Sequence, residues 1–240
     1  MLPVAILSGG LATRLRPATE TIPKALIPIN GEPFIAHHLR LLSSAGVERV
    51  VMCVGHFGEM IQEFAGDGRR FGLRVTYSQD GPNPRGTAGA VRNALPLLGD
   101  QFLVLYGDSY LPCDYRAVER AFFESGLPGL MTLFRNRNQW EISNVELAGG
   151  QVTAYDKRAP TAAMEYVDYG LSAFQASVFS AAAFSAAGEQ AADLTVVFQE
   201  LIRRRALAGF EVKERFYEVG SWEGIRDLQA YLSLRSRTTV

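Results

Sequence analysis

Short apolar runs alternate with helical patterns over roughly the first 110 residues, and this alternation restricts the fold more than any other feature of the sequence. Strands are predicted at residues 4–7, 49–54, 74–77 and 102–106. Apolar residues at helical spacing lie between these runs, in segments that begin near Pro33, Met60 and Thr87. Strands that alternate with helices usually build a mostly parallel sheet with helices on both faces. We therefore expect an α/β fold.

The second half of the chain has a different pattern, in which strands follow one another with few long helices between them. These strands are predicted at residues 130–134, 144–147, 152–155 and 166–174. Gly149-Gly150 is a hairpin turn signal. We expect an antiparallel extension inserted into or beside the main sheet, and then helices around residues 193–206 and 222–234.

The sequence shows no repeat and no obvious linker, so we predict a single domain over residues 1–240. Its lobes are expected at about residues 1–125 and 126–220, with a C-terminal helix at about 221–236. The apolar residues of that helix pack either on the core or on a second subunit, so a homo-oligomer stays open. These residues are Leu228, Tyr231 and Leu232.

Charge and composition exclude several classes of partner. The formal net charge of −1 gives no general attraction to nucleic acid or to a membrane surface. No apolar run approaches the roughly 20 residues that span a bilayer. Cys53 and Cys113 are too few for a disulfide scaffold, and we expect both to be reduced. A cytoplasmic protein with no nucleic-acid or membrane partner is predicted.

The first candidate site is the glycine pair after the first strand, together with two basic residues that follow it. Gly9 and Gly10 let several backbone N–H groups converge on phosphate oxygens at the end of a strand. The Arg14 guanidinium can hold a departing pyrophosphate at two points, and Lys24 can place a positive charge near an α-phosphate. Transfer of a nucleotidyl group needs such cations, so Arg14 and Lys24 are the catalytic candidates.

This segment resembles the signature of the sugar-1-phosphate nucleotidyltransferases, which reads G-G-x-G-T-R-L-x-P-x-T and then P-K. The matching residues are Gly9-Gly10, Thr13-Arg14-Leu15, Pro17 and Pro23-Lys24. Ala12 stands where the family usually has glycine, and we expect its methyl group to narrow the loop without preventing phosphate contact. The resemblance is nearest to the heptose- and mannose-1-phosphate guanylyltransferases and the muramic-acid-phosphate uridylyltransferases. It implies a Rossmann-like fold, direct displacement without a covalent intermediate, and nucleotide contacts at Leu7, Gly9, Gly10 and Thr13.

The segment at residues 77–90 is similar to a second motif of that family, in which a polar residue precedes Pro-x-Gly-Thr-x-Gly-Ala. In the family this loop and helix start lie against the nucleoside. A glycine-rich helix start allows backbone groups to approach a flat base edge closely. The predicted nucleotide contacts are Gly86, Thr87 and either Gln79 or Asp80, and the choice between the last two stays open.

Two acidic residues are predicted to bind Mg²⁺ on the same resemblance. Asp108 ends an apolar strand, as does the family's magnesium aspartate, and Mg²⁺ prefers hard oxygen ligands that it shares with substrate phosphates. The family has a second aspartate in the pattern Asp-x-Gly-Thr, which Glu218-Val219-Gly220-Ser221 matches with glutamate and serine substituted. The alternative for Glu218 is a cap on the following helix, where a carboxylate suits the positive end of the dipole.

Three polar segments resemble the family's sugar phosphate pocket, in which carboxylates and amides fix hydroxyls and a lysine takes the phosphate. Ser143-Asn144 stands in place of Tyr-Gly, and Asp156-Lys157-Arg158 in place of Glu-Lys-Pro. These departures reshape the pocket, so the identity of the sugar is not carried over. The residues assigned to it are Asn144, Asp156, Lys157, Asp168 and Gly170.

We therefore expect a Mg²⁺-dependent enzyme that joins a nucleoside triphosphate to a sugar 1-phosphate and releases pyrophosphate. GTP with a mannose- or heptose-type sugar 1-phosphate is the first candidate pair, from the segment at residues 86–90. One alternative is a cytidylyltransferase for a non-sugar phosphate, against which the pair Asp156-Lys157 argues. The other is a catalytically silent homologue that binds a nucleotide sugar. Such homologues usually lose the basic residues that are present here as Arg14 and Lys24.

Overall fold

The computed structural model describes residues 1–10, 13–81, 85–180 and 192–238, and these residues contain thirteen β-strands and six α-helices. The strands are β1 (Val4–Leu7), β2 (Pro28–Ile29), β3 (Glu32–Pro33), β4 (Arg49–Val54), β5 (Arg74–Gln79), β6 (Gln101–Tyr106), β7 (Ser109–Tyr110), β8 (Gly129–Arg135), β9 (Val145–Ala148), β10 (Gln151–Tyr155), β11 (Tyr166–Gln175), β12 (Leu207–Val212) and β13 (Tyr217–Glu218). The helices are α1 (Phe34–Ser44), α2 (Gly58–Ala65), α3 (Gly86–Leu98), α4 (Tyr115–Ser125), α5 (Leu194–Arg203) and α6 (Trp222–Thr238). Short 3-10 turns lie at Thr13–Leu15, Ala18–Glu20, Lys24–Leu26, Arg69–Phe71 and Ala176–Phe179.

Nine of the strands form one sheet in the order β5-β4-β1-β6-β11-β8-β12-β10-β9. The first four run parallel to one another. Antiparallel pairings join β11 to β6 and β8, β10 to β12, and β9 to β10, while β8 and β12 pair in parallel. The predicted α/β class with an antiparallel extension is confirmed, and a single sheet continues through both predicted lobes.

Helices cover both faces of this sheet. Successive strand residues point to opposite sides, and in the apolar strands both sides therefore carry apolar side chains that need to be buried. In β1, Val4 and Ile6 pack with apolar residues of α1, α2 and α4. Ala5, between them, packs on the other face with apolar residues of α3 and α5. A strand that is buried on both faces is apolar throughout. This explains the continuous apolar runs in the first half of the sequence.

Helix α4 and strand β12 are among the elements that the sequence did not predict. Helix α4 buries Tyr115, Val118 and Phe122 on one face, and the Asp114 side chain accepts a hydrogen bond from Ala117 N at its start. The helix predicted at residues 193–206 ends at Arg203, and the chain continues into β12. Strand β12 lies between β8 and β10, so its place depends on distant pairings rather than on local sequence.

The C-terminal helix packs on this chain's own core. Leu228 of α6 is fully buried in a cluster with Leu15, Ile29 and Val219, and Tyr231 is partly buried against the same cluster. The sequence left open whether this helix packs on the core or on a second subunit. In the structure it packs on the core, and a homo-oligomer stays a prediction. No helix among the described residues has the length and apolar character that crossing a membrane requires. Cys53 and Cys113 are free thiols.

Candidate functional site

The carboxyl ends of the four parallel strands meet at one edge of the sheet and deliver the segments that the sequence singled out. Ser8–Gly10 follows β1, Asp80 follows β5, and Gly107-Asp108 follows β6. After β5 the chain returns to the opposite side of β1 to form β6. Such a reversal of strand order opens a crevice at the carboxyl edge, which is where open α/β sheets bind ligands.

A cavity of about 280 Å³ lies in this crevice, between the loop after β1 and the start of α3. Its lining includes the predicted residues Leu7, Gly9, Gly10, Lys24, Asp80, Gly86, Thr87 and Asp108. A Cβ atom at Gly9 would lie 2.7 Å from Asp80 Oδ2, so a side chain here would displace the Asp80 carboxylate from its place in the cavity. Thr13 begins a 3-10 turn and only its backbone is described, while Ala12 and residues 82–84 lie outside the described residues.

Two buried polar atoms belong to residues that line this first cavity. Ser8 Oγ and Asp80 Oδ1 have no hydrogen-bond partner within the described part of the chain. Burial raises the pKa of the Asp80 carboxyl, against the opposing effect of the Arg85 guanidinium. Buried polar groups are nearly always paired, so these two are suited to a ligand that brings hydrogen-bonding groups.

The structure distinguishes between the two polar residues that the sequence left open beside the base. Asp80 lines the cavity, whereas Gln79 is exposed and is not part of the lining. Thr87 also lines the cavity, but its hydroxyl donates to Asp193 Oδ2 at 3.1 Å and accepts from Leu194 N at 2.7 Å. Thr87 therefore ties the start of α3 to the start of α5, and its hydroxyl already has partners.

The predicted catalytic lysine contacts the predicted metal-binding aspartate. Lys24 Nζ donates a hydrogen bond to Asp108 Oδ2 at 2.9 Å, in an ion pair that is partly shielded from solvent. Both residues line the first cavity. A positive charge is therefore held at the end of β6, in the lining of the first cavity.

A second cavity, of about 600 Å³, adjoins the first and shares Tyr106 and Asp108 with it. Its lining includes the predicted residues Arg14, Asn144, Lys157, Asp168, Gly170 and Glu218. Arg14 thus lies in the second cavity and not in the lining of the first. The two cavities form one cleft, and Asp108 stands at the junction.

Glu218 reaches this junction through a small two-stranded sheet. Strand β13 pairs antiparallel with β7 so that Glu218 lies opposite Ser109, and Val219 N donates to Asp108 O at 2.8 Å. Burial in the cleft raises the pKa of Glu218 to about 7, and the Asp108 carboxylate adds to the rise. The side chain still keeps an open side toward solvent.

The alternative role of Glu218, a cap on helix α6, is filled by a neighbouring residue. Ser221 Oγ accepts a hydrogen bond from Gly224 N at 3.1 Å, as a capping side chain does. Glu218 instead lines the cleft beside Arg14, whose positive charge partly opposes the rise in the Glu218 pKa. The Glu218 side chain therefore lines the cavity, and the capping hydrogen bond of α6 comes from Ser221.

Lys157 and Asp168 lie together on the opposite wall of the second cavity. Lys157 Nζ lies 5.7 Å from the ring centroid of Tyr106 and 5.5 Å from that of Tyr155. Asp168 accepts hydrogen bonds from Gly170 N at 3.0 Å and from the Tyr155 hydroxyl at 3.3 Å. Burial raises the pKa of Asp168, and the Lys157 ammonium opposes that rise. This wall can hold an anion at Lys157 and hydroxyl groups around Asp168.

Asp156 is not among the residues that line either cavity. Its Oδ1 accepts hydrogen bonds from Arg158 N at 2.7 Å and Ala159 N at 3.0 Å, and these bonds lower the pKa of its carboxyl. Asp156 therefore closes the turn that follows β10 and leads past Lys157. A contact between Asp156 and a ligand would require the cleft to be longer than its described lining.

Among the residues of the second cavity that sequence reasoning missed are Glu141 and Ile142. Both belong to the loop between β8 and β9, in which only Ser143-Asn144 at the end resembles a family motif and no regular apolar period is present. Their place depends on how that loop folds back on itself, so no local signal could have identified them.

The carboxylates at the junction fit a magnesium ion that is shared with a phosphorylated ligand. Within the described ranges no three or more His, Cys, Asp or Glu residues converge in a way that could hold a metal. Asp108 and Glu218 nevertheless line the same cavity, and the Asp108 carboxylate contributes to the raised pKa of Glu218. Mg²⁺ is usually held by one or two carboxylates plus substrate phosphates and water, so Asp108 and Glu218 are the residues that could hold it here.

Comparison with known proteins gives matches over most of the chain. A family model described as "Nucleotidyl transferase" matches residues 4–234. N-acetylmuramate alpha-1-phosphate uridylyltransferase of Neisseria meningitidis serogroup B is 41% identical over 116 residues, which are 47% of this chain and 49% of that protein. The catalytic subunit beta of mannose-1-phosphate guanylyltransferase of Xenopus tropicalis is 30% identical over 181 residues, which are 72% of this chain and 49% of that protein. The chain thus spans about half the length of these curated relatives.

The fold also matches a solved structure over nearly the whole chain. HddC from Yersinia pseudotuberculosis, complexed with GMP-PN, superimposes with a TM-score of 0.76 at 20% sequence identity. The match covers 97% of this chain and 100% of that one. At this identity the likeness concerns the fold.

Proposed function

The chain belongs to the nucleotidyl transferase family, and on that premise we propose that it transfers a nucleoside monophosphate from a nucleoside triphosphate to a sugar 1-phosphate. The products are a nucleotide-activated sugar and pyrophosphate. The relatives named for uridylyl and guanylyl transfer to sugar phosphates support this reaction class.

The observation that carries the proposal is the meeting of two chemically different cavities at Asp108. The first combines backbone from a glycine loop and a helix start, which suits phosphates and a flat base. The second combines Lys157 with Asn144 and Asp168, which suits a phosphate that carries a hydroxyl-rich group. A reaction between two phosphates requires both to be bound side by side, and this cleft provides that arrangement.

Each residue then has a definite task. Asp80, at the base end of the first cavity, accepts hydrogen bonds from the nucleobase, and the backbone at Gly9 and Gly10 holds phosphate oxygens. Lys24 and Arg14 stabilise the charge that develops as the acceptor oxygen attacks the α-phosphorus and pyrophosphate departs. Lys157 holds the acceptor phosphate in line for that attack.

Asp108 and Glu218 would hold the Mg²⁺ ion. When bound, this ion supplies positive charge that neutralises the phosphates and the charge developing on them. Lys24 Nζ donates to Asp108 Oδ2, so the lysine keeps a positive charge beside the two carboxylates that would hold the ion.

The testing experiment is a pyrophosphate-release assay that crosses four nucleoside triphosphates with a panel of sugar 1-phosphates. GTP with a mannose- or heptose-type sugar 1-phosphate is the first pair to try, and the expected location for such a reaction is the cytoplasm. Release with CTP and a non-sugar phosphate alone would favour a cytidylyltransferase. Tight binding of a nucleotide sugar without any release would favour a silent regulatory homologue.

A further inference from the structure

The loop between β8 and β9 is held in one shape by two buried side chains. Asn136 is fully buried; its Oδ1 accepts from Trp140 N at 3.0 Å and its Nδ2 donates to Glu141 O at 2.5 Å. Ser143 is almost fully buried; its backbone N donates to Asn138 Oδ1 at 2.8 Å, and its Oγ accepts from Asn138 N at 3.2 Å. A loop with this many internal hydrogen bonds presents its tip in a fixed position.

That tip places Glu141 in the wall of the second cavity. Burial raises the pKa of the Glu141 carboxyl, the Lys157 ammonium lowers it, and the Asp168 carboxylate raises it further. Glu141 in turn raises the pKa of Glu218. Glu141 is thus an exposed residue of the cavity wall whose carboxylate is close enough to Lys157 and Asp168 to be affected by their charges.

Within the described part of the chain the Glu141 carboxylate accepts no hydrogen bond, whereas both oxygens of Asp168 already accept one each. The cavity is lined by four carboxylates and by the two cations Arg14 and Lys157. Asp108 and Glu218 are assigned to the metal, and the two cations to phosphates. The carboxylates that remain for the non-phosphate part of the acceptor are Glu141 and Asp168.

We propose that Glu141 is a specificity-determining residue for the acceptor, and that its carboxylate accepts hydrogen bonds from hydroxyl or amino groups of the sugar. The same carboxylate disfavours an acceptor that carries a carboxylate of its own, because two like charges would meet in a partly desolvated cleft. The acceptor class is then a neutral or amino sugar 1-phosphate and not an acidic one. This inference rests on the proposed function for the identity of the cavity as the acceptor side.

Equilibrium binding tests the inference without requiring turnover. The probes are a hexose 1-phosphate, its 2-amino analogue and its 6-carboxylate analogue, each in the gluco and manno configurations, measured by titration calorimetry. For the wild-type protein we expect at least one configuration in which the carboxylate analogue binds about tenfold or more weakly than the neutral sugar. Glu141→Gln keeps the shape of the side chain and removes its charge. In this variant the ratio of the Kd of the carboxylate analogue to the Kd of the neutral sugar should fall to about threefold or less.

Glu146→Gln is the matched control, because Glu146 lies on β9 outside both cavity linings and should leave the ratio unchanged. An unchanged ratio in Glu141→Gln, equal weakening of all three probes, or no binding of any probe would overturn the inference. Pyrophosphate release is measured in parallel on the same proteins. If pyrophosphate is released but Glu141→Gln leaves the ratio of the two affinities unchanged, only the role of Glu141 is overturned. If the affinity ratios are as expected but no pyrophosphate is released, only the proposed function is overturned.

Discussion

Replacing Gly107 by alanine should push apart the ends of β1 and β6 beneath the junction of the two cavities. A Cβ atom at residue 107 would lie 2.4 Å from Leu7 O and 2.6 Å from Ser8 Oγ. Because the nearest of these atoms is backbone, relief requires the strand ends to separate by about 1 Å, toward ordinary contact distance. That movement weakens the hydrogen bond from Gly107 N to Leu7 O, which measures 3.0 Å.

The expected cost is the sum of two effects. Overpacking of a filled region costs about 1–3 kcal/mol, and loss of one backbone hydrogen bond about 1 kcal/mol. For a protein of this length a loss of about 3 kcal/mol lowers the melting temperature by about 6–12 °C. Asp108 follows residue 107 directly, so turnover should fall as well.

Thermal unfolding and urea titration measure this change, with Gly10→Ala as the matched control. Gly10 lies at the same edge of the sheet, but no described atom stands within 4 Å of a Cβ built there. Its replacement should change the free energy of unfolding by less than about 0.5 kcal/mol. If the melting temperatures of Gly107→Ala and Gly10→Ala differ by no more than about 1–2 °C, the steric argument is refuted.

Three further predictions concern charged side chains of the cleft. Arg14→Ala should lower turnover by on the order of 100-fold with an unchanged melting temperature, because a cation is lost from the transition state; wild-type pyrophosphate release would contradict it. Lys157→Ala should raise KM for the sugar phosphate and leave KM for the nucleotide nearly unchanged, as steady-state kinetics with each substrate varied would show; a matched rise for both would mean that Lys157 does not hold the acceptor. Glu218→Gln should weaken the apparent affinity for magnesium in an activity titration without lowering thermal stability in metal-free buffer. Ser221→Ala is its control, since loss of the helix cap should cost about 1 kcal/mol and leave the metal dependence unchanged.

The first half of the chain was predictable because its signals are local. A strand that is buried on both faces must be apolar throughout, and β1, β4 and β6 are found where their apolar runs predicted them. Parallel strands end at one edge, so the glycine loop and Asp108 had to come close together once the sheet was predicted. The family signature added the expectation that this edge binds a nucleotide.

The second cavity was less predictable because most of its wall is assembled from the second half of the chain by distant pairings. Strand β12 enters the sheet between β8 and β10. Strand β13 pairs with β7, about 100 residues earlier in the chain, and this pairing, which no local pattern specifies, brings Glu218 near Asp108. Asp156 shows the reverse case, in which a motif position is recognisable but its carboxylate closes a turn.

What the sequence determined by itself is therefore the α/β class, the edge of the sheet at which phosphate binding is predicted, and the chemical types of the residues there. What only the tertiary structure decided is which polar side chains share a cleft: Asp80 in place of Gln79, and Glu141 without any motif. The physical reason is that strand and helix patterns depend on the burial of neighbouring residues, whereas a binding wall depends on how loops from separate strands fold against one another.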